Sequence, residues 1–386
     1  MDDQTVKEII LSLKENYQSS TKAGKKIALD HLVAITKRSR KHLIKEIKKP
    51  VEVLKKKKSS GRPKIYQKTE ILPHIRYLWL QMERISSGRM KAGLRDWLPH
   101  YEDCPGHLKM QLLKMSASTL GRYLAEVRAT LEPRHGLSTT SPARHMKNKV
   151  PINTLDARVD RPGYTQTDTV AHCGTSAAGP FISSLTVTCI YSTWTVNRAM
   201  LTKKGKKVQA NFKEIEHELP FDLLAINADS GSEFLNRPML EFTKFGHRIQ
   251  YTRSRPYKKN DNCYVEQKNF THVRELFGYD RFEDEELVPL MNEIYSQIWN
   301  PLLNFFLPNM KIKEKARIGG VIYKKYDEPQ TAFTRLINSP HIADEKKEAL
   351  RAQKAKLNPF KLKQNLEIKL KEFYEILRKN NIRRVA

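Results

Sequence analysis

Apolar residues recur at helical spacing through the first third of the chain. The pattern predicts three helices near the N-terminus, at 5–17, 24–35 and 38–48. It predicts four more before residue 130, at 66–83, 88–100, 107–115 and 117–129. A short helix, a tight turn and a basic helix are typical of a helix-turn-helix, in which the second helix enters the major groove. We therefore predict all-α helix-turn-helix DNA-binding domains over 1–54 and 66–130.

Two segments of different composition separate these helical domains from each other and from the middle of the chain. Residues 55–65 contain four consecutive lysines and then Ser-Ser-Gly-Arg-Pro, which indicates a solvated basic linker or an arm for a minor groove. Residues 131–158 are rich in Ser, Thr, Pro and basic residues, and this composition predicts a second linker.

The pattern changes from helical to β at residue 163. Three consecutive runs rich in Thr, Val, Ile and aromatic residues predict three strands. They are followed by a helix, strand, helix, strand and helix, which we place at 206–219, 222–228, 238–246, 248–252 and 261–277. This order predicts an α/β ribonuclease-H-like core over 159–307, with a mixed five-stranded sheet and an apolar helical closure at 281–307.

The remaining residues, 308–386, are predicted to form a small basic C-terminal domain. They contain a β-like segment at 319–326 and a long charged helix from about residue 343.

The charge of the chain predicts a polyanionic partner. There are 70 Lys and Arg residues against 42 Asp and Glu, a net charge of +28. Residues 1–150 hold 32 basic and 14 acidic residues, whereas residues 151–300 hold 18 and 19. An excess concentrated at the ends of the chain favours DNA as the partner, although lysines can also serve solubility alone.

Membrane and disulfide-stabilised classes are not favoured. No run approaches the ~18 apolar residues of a membrane span. The first ten residues lack a basic stretch followed by an apolar one, and the four cysteines form no CxxC pair. We expect a cytoplasmic, nucleoid-associated protein.

Three carboxylates stand at positions that suit metal chemistry. Asp168 lies inside the first predicted strand, Asp229 ends the fourth, and Glu266 lies on the helix after the fifth. The first and fourth strands are neighbours at the centre of the predicted sheet, so the three side chains can converge. Each also has an ordinary interpretation: Asp168 paired with an arginine, Asp229 as a turn residue and Glu266 on a solvated helix face.

Together the three favour a site for divalent cations. Carboxylate oxygens suit Mg²⁺ or Mn²⁺. Two such ions about 3.5–4 Å apart activate a nucleophile and stabilise a leaving oxygen.

These residues resemble the integrase and transposase superfamily that carries an Asp-Asp-Glu triad. The similar stretches are TDTV around Asp168, NADSGSEF around Asp229 and RSRPYKKNDNCYVEQKN leading to Glu266. The last is especially similar to bacterial insertion-sequence transposases, and the spacing of 36 residues between Asp229 and Glu266 is similar to that of retroviral integrases. The resemblance implies a ribonuclease-H-like fold, magnesium dependence, strand transfer to DNA and a multimer on paired element ends.

The chain departs from that family in places. Ser230 stands where an asparagine is frequent, and Phe270 and Val273 stand where retroviral relatives have lysines, although Asn269 keeps the asparagine often found there. One cysteine in residues 1–150 cannot make the zinc module of those relatives. The triad is unaffected, whereas DNA-end contacts do not carry over.

Several basic side chains are candidates for phosphate contacts. They lie on or beside the predicted recognition helices, or on or before the helix that carries Glu266, here called the catalytic helix. They are Arg38, Arg40, Lys41, Arg122, Arg253, Arg255, Lys258, Lys259 and Lys268. His272 and Arg274 are further candidates on the catalytic helix. His172 shares a strand face with Asp168 and is interpreted chiefly as structural, and Glu233 chiefly as a helix-start residue. Tyr164 and Tyr257 are discounted as nucleophiles, because no Arg-His-Arg signature accompanies them.

The sequence therefore predicts a DNA polynucleotidyl transferase of a mobile element. It would cleave and join DNA with two Mg²⁺ or Mn²⁺ ions, as a homo-oligomer. Two alternatives stay open: a DNA-binding regulator derived from a transposase that no longer catalyses, and a nuclease such as ribonuclease H on the same fold.

Overall fold

The structure, a computed structural model, describes residues 3–50, 65–129, 159–244, 249–255, 262–318 and 321–385. The chain divides into two units, Met1–Ile65 and Tyr66–Ala386. The segments 131–158 and 55–64, predicted as linkers, lie outside the described residues.

The first unit contains three helices that surround a small apolar core. They are α1 (Asp3–Ser19), α2 (Lys22–Thr36) and α3 (Arg40–Ile47). The side chains of Thr21 and Ser39 accept backbone N–H groups at the starts of α2 and α3. Lys37 ends α2 in the left-handed conformation, which leaves three residues for the turn into α3. The core residues are Val6, Ile10, Leu29, Leu32, Leu43 and Ile47. DNA binding by this unit stays a prediction.

The next helices belong to the larger unit. They are α4 (Lys68–Gln81), α5 (Ser87–Trp97), a 3₁₀ turn (Leu98–His100), α6 (Gly106–Lys114) and α7 (Ala117–Arg128). Trp97 at the end of α5 is fully buried, and its indole N–H donates to the carbonyl oxygen of Phe306 at 3.0 Å. The sequence predicts 66–130 as a separate domain, whereas these helices share one hydrophobic core with the rest of the unit.

A mixed sheet of five strands forms the centre of the larger unit. The strands are β1 (Tyr164–Ala171), β2 (Ile182–Cys189), β3 (Thr195–Leu201), β4 (Ala225–Ala228) and β5 (Gln250–Arg253). Their order is β3-β2-β1-β4-β5. The first three strands pair antiparallel, and β1, β4 and β5 pair parallel. The predicted mixed sheet, with β1 and β4 adjacent at its centre, is confirmed, and its order and directions fit a ribonuclease-H-like core.

Helices follow the strands and cover the sheet. They are α8 (Gly205–Glu218), α9 (Arg237–Lys244), α10 (Cys263–Lys268), α11 (Leu287–Glu293) and α12 (Asn300–Phe306). A π-helical stretch (Asn269–Arg274) and a last α turn (Glu275–Phe277) continue α10. Another π-helical stretch (Ile294–Trp299) joins α11 to α12.

Three asparagines on the continuous helical segment from α11 to α12 form hydrogen bonds with the backbone of β3, on the edge that no other described strand covers. Asn304 accepts the N–H of Thr195 at 2.9 Å and donates to its carbonyl at 2.8 Å. Asn300 makes the same pair of bonds to Asn197, and Asn292 to Ala199. The outward groups of an edge strand need partners when they are buried, and these side-chain amides supply them.

The C-terminal part combines a hairpin with three helices. They are β6 (Ile312–Ile318), β7 (Val321–Tyr326), α13 (Ala332–Ile337), α14 (Asp344–Ala355) and α15 (Pro359–Val385). The sequence pattern predicts only the second strand, because β6 alternates basic residues with isoleucine, glutamate and alanine over a short run. The long helix predicted from residue 343 is two helices, since Asn358 caps a new one that begins at Pro359.

Within the described part of the chain, none of the helices combines the length and apolar character that crossing a bilayer requires.

Candidate active site

The two aspartates predicted as ligands lie level with each other on neighbouring strands. In the parallel pairing of β1 with β4, Thr167 is opposite Ala228. Asp168 and Asp229 are the next residues on each side, and paired strands are about 4.8 Å apart. The fold therefore brings together two carboxylates that are 61 positions apart in the chain.

Asp168 is half-buried and its oxygens are already engaged. One accepts the backbone N–H of Thr169 at 2.8 Å, and the other accepts the side-chain amide of Asn269 at 2.7 Å. Burial, followed by the negative charge of Asp229, holds the pKa of Asp168 well above its usual range despite these bonds. In the protein alone, these two hydrogen bonds therefore do not offset the cost of ionising Asp168.

Asp229 is placed in a similar way. Its carboxylate accepts the backbone N–H of Gly231 at 2.8 Å. Burial, followed by the charge of Glu233, raises the pKa of Asp229. A Cβ at Gly231 would stand 2.5 Å from Glu233 Oε2 and 2.8 Å from Asp229 Oδ1. Gly231 is thus needed for the space between these two carboxylates.

Glu233 is part of the site. The structure places it in the turn before α9, which begins at Arg237, so it does not start the helix. Its side chain is 4% exposed, and Oε1 accepts from Lys203 Nζ at 2.9 Å and from Thr169 Oγ1 at 3.0 Å. No local motif links Lys203, at the end of β3, to Glu233, and sequence reasoning missed this contact.

Glu266 lies on the helix that covers this cluster. It lies on α10 with an exposed side chain, one turn before Asn269, which touches Asp168. Among the residues that the structure describes, no group of three His, Cys, Asp or Glu side chains has an arrangement that could hold a metal ion. The structure thus gathers Asp168, Asp229 and Glu233, and places Glu266 beside them on the covering helix.

The donor chemistry at Asp168 and Asp229 nevertheless fits a hard divalent cation. Both carboxylates present oxygen donors, and both are destabilised as anions by burial and by neighbouring negative charge. A bound cation would remove this penalty. The side-chain oxygen of Asn269 is also buried, with no hydrogen-bond partner among the described residues.

The basic residues predicted to contact DNA divide by exposure. Lys41, Arg122 and Arg255 are exposed. Arg40 is partly exposed and pairs with Asp30, and Arg38 is half-buried. Lys258 and Lys259 lie outside the described residues.

Arg253 and Lys268 are buried, and their contact with DNA stays a prediction. Lys268 donates to Asn309 at 3.2 Å, and burial together with Arg89 lowers its pKa to about 7.

The two further candidates for DNA contacts on the catalytic helix, His272 and Arg274, also point toward the interior of the protein. His272 is buried, and Arg274 is half-buried and donates to the carbonyl of Ala171 at 2.9 Å.

His172 is structural, which agrees with its chief interpretation from the sequence. Its Nε2 lies 2.8 Å from Ser184 Oγ, and its ring stacks on Phe282 with centroids 4.9 Å apart. Burial, followed by the charge of Arg274, lowers the pKa of His172 to about 3. The folded protein therefore keeps this ring neutral through the mildly acidic range.

We expect acid to destabilise the protein through His172. The pKa is lower in the folded state, so between pH 6.5 and about 3 the unfolded chain binds the extra proton and stability falls as the pH falls. His172→Phe should remove up to about 1.4 kcal/mol per pH unit from that slope. Urea unfolding at pH 7, 6 and 5 measures it, with exposed His217→Phe as the control. Equal slopes for the wild type and both variants would contradict this assignment.

The chain is similar to a known protein along most of its length. The uncharacterized protein y4rM of Sinorhizobium fredii is 31% identical over 338 residues, which cover 85% of this chain and 94% of that protein. No model of a known protein family matches the chain.

Among solved structures, the chain is similar to retroviral integrase catalytic cores at a low level. The BIV integrase core is 14% identical, with a TM-score of 0.30 over 46% of this chain and 96% of that one. The dimeric HTLV-2 integrase core in complex with magnesium is 16% identical, with a TM-score of 0.28 over 39% of this chain and 90% of that one.

Proposed function

This chain belongs to the same family as the uncharacterized protein y4rM of Sinorhizobium fredii, and we propose that it is a metal-dependent DNA polynucleotidyl transferase. In this proposal it cleaves DNA and joins strands as the transposase or integrase of a mobile element. DNA is its substrate, and it acts as a homo-oligomer with two Mg²⁺ or Mn²⁺ ions at each site.

One observation carries the proposal. Asp168 and Asp229 lie side by side at the centre of a mixed sheet, and each is destabilised as an anion by burial and by a neighbouring carboxylate, Asp229 for Asp168 and Glu233 for Asp229. Such a pair costs folding free energy unless it serves a cation. The TDTV and NADSGSEF stretches that carry these residues resemble the motifs of this superfamily.

The side chains divide the work in this mechanism. Asp168 and Asp229 hold the ions, which when bound supply an activated nucleophile and stabilise the leaving oxygen of an in-line displacement. Asn269 orients Asp168 through its hydrogen bond, and Gly231 keeps open the space in which Asp229 sits. Water first displaces the 3′-oxygen of one phosphodiester and so frees a 3′-hydroxyl. This hydroxyl then attacks a phosphodiester of the target DNA, whose own 3′-oxygen leaves, with no covalent protein intermediate.

Glu266 is the third ligand in this proposal. It lies on the same helix as Asn269, one turn away, and the helix is already tied to Asp168. Its exposed side chain would reach the pair after a local adjustment of the first turn of α10 as metal and DNA bind. Lys41 and Arg122 are proposed to contact phosphates, together with Arg255 beside the site.

A strand-transfer assay tests the function. The full chain is incubated with Mg²⁺, supercoiled plasmid and labelled duplexes that carry the DNA flanking its gene. We expect joined products from the wild type, and at least a ~10³-fold loss for Asp229→Asn and for Glu266→Gln, as expected for removing a ligand of the ions. Asp222→Asn is the matched control, because Asp222 lies on the surface before β4 and pairs with Lys346. Joining that survives in Asp229→Asn would refute the assignment.

The position of Glu266 favours one second candidate. An exposed glutamate outside the buried cluster is also what a DNA-binding regulator that no longer catalyses would show. Sequence-specific DNA binding by the wild type, with no nicking or joining in Mg²⁺ or Mn²⁺, would favour that function instead.

A further inference from the structure

Lys203 provides a positive charge inside the carboxylate cluster. Its Nζ lies 2.9 Å from Glu233 Oε1, and the glutamate is 4% exposed while the lysine is 29% exposed. Thr169, next to Asp168 on β1, donates its hydroxyl to the same Glu233 oxygen at 3.0 Å. The ion pair is therefore attached to the strand that carries the first aspartate.

The influence of Lys203 reaches Asp229 as well. A Cβ placed on Gly231 would lie 2.5 Å from Glu233 Oε2 and 2.8 Å from Asp229 Oδ1. The distance between these two oxygens therefore cannot exceed the sum of the two values, and the carboxylates are close neighbours. The charge of Lys203 lowers the pKa of Asp229, which opposes the effects of burial and of Glu233. One ammonium group thus compensates both Glu233 and Asp229 in the protein without metal.

A cavity beside Lys203 gives its side chain room to move away from the carboxylates. The cavity has a volume of about 580 Å³ and is lined by Phe181, Thr202, Lys204 and Glu233 among others. A flexible four-carbon stem can carry the ammonium group from Glu233 into this space with no change in the backbone.

We propose that Lys203 is an internal counter-ion that competes with divalent cations for the Asp168–Asp229 site. Without metal it stabilises the folded protein through Glu233. When a cation binds, the two positive charges repel each other, and Lys203 swings into the cavity. The lysine therefore weakens metal binding and raises the stability of the metal-free protein, and this role rests on the proposed function.

Metal titration of the full chain tests this role. Thermal unfolding is followed as Mg²⁺ or Mn²⁺ is added, and the midpoint of the stabilisation is recorded. For Lys203→Met we expect a lower Tm without metal and a midpoint about 3- to 10-fold lower, the effect of removing one nearby charge. Lys203→Arg should keep both wild-type values within about two-fold.

Lys204→Met is the matched control. It removes the same charge from the adjacent residue, which is exposed and lines the same cavity. We expect its midpoint to stay within about two-fold of the wild type, because exposed charges are screened. A Lys203→Met midpoint equal to that of Lys204→Met, or higher than the wild type, would overturn the inference.

Two further measurements separate the possible failures. Should Lys203→Met not fold, Lys203→Gln removes the charge and keeps a hydrogen-bond donor for Glu233; a wild-type or higher midpoint in it overturns the inference. If metal fails to stabilise even the wild type, the proposed function itself fails. If metal stabilises the wild type but not Asp168→Asn, the site stands, and an unchanged midpoint in the Lys203 variants refutes only the counter-ion.

Discussion

Asp168→Asn is expected to stabilise the metal-free protein while it abolishes strand transfer. The change removes one of two adjacent buried charges. The Asn269 amide can turn over to accept from the new side chain, because its own oxygen has no partner among the described residues. We expect a gain of about 1–3 kcal/mol near pH 8, and a loss of at least ~10³-fold in joining.

The pH dependence identifies the cause of this gain. The pKa of Asp168 is raised in the folded state, so above its ordinary value of 3.8 the folded protein binds more protons than the unfolded chain. Above about pH 6.5, where His172 no longer contributes, wild-type stability without metal should therefore fall as the pH rises to 8, and Asp168→Asn should flatten that decline. Added Mg²⁺ should restore the wild type at pH 8 and leave the variant unchanged. A variant less stable than the wild type at pH 8 would mean that Asp168 is an ordinary structural residue.

Trp97→Ala is expected to cost about 3–5 kcal/mol, because it empties a fully buried site and removes an indole hydrogen bond. Trp97 contacts Phe360 edge to face at 5.1 Å and donates to Phe306, so it joins α5 to α12 and α15. Trp97→Phe keeps a ring in the site and should cost about 1–2 kcal/mol through the lost hydrogen bond alone.

The shape of the unfolding curve matters as much as its midpoint. Circular dichroism during urea unfolding should show the transition of residues 66–386 move as one for both variants. If α4–α7 were an independent domain, Trp97→Ala would instead produce a separate early transition and leave the rest in place. That outcome would contradict the shared core.

The sheet could be predicted from sequence because its signals are local. Thr- and Val-rich runs define β1 to β3, and alternation with helices places β4 beside β1. The positions of Asp168 and Asp229 follow from that order. The existence of the helices in residues 3–128 follows equally from apolar spacing.

The features that sequence could not predict depend on contacts between distant residues. Lys203 and Glu233 meet only because β3 and the turn after β4 converge beside Thr169. Lys268 is buried beside Asn309, 41 positions later in the chain, and the π-helical stretch that begins at the next residue has no signature in the sequence. The shared core of α4–α7 likewise depends on residues beyond 300, such as Phe306 and Phe360.

The asparagines along β3 also limit how copies of this chain can associate. Strand addition needs unoccupied N–H and C=O groups on the recipient strand. The outward backbone groups of Thr195, Asn197 and Ala199 are already hydrogen-bonded to asparagine side chains of the same molecule. A second copy therefore cannot continue the sheet past these residues of β3, and any contact between copies at this side of the molecule would use helical or loop surfaces.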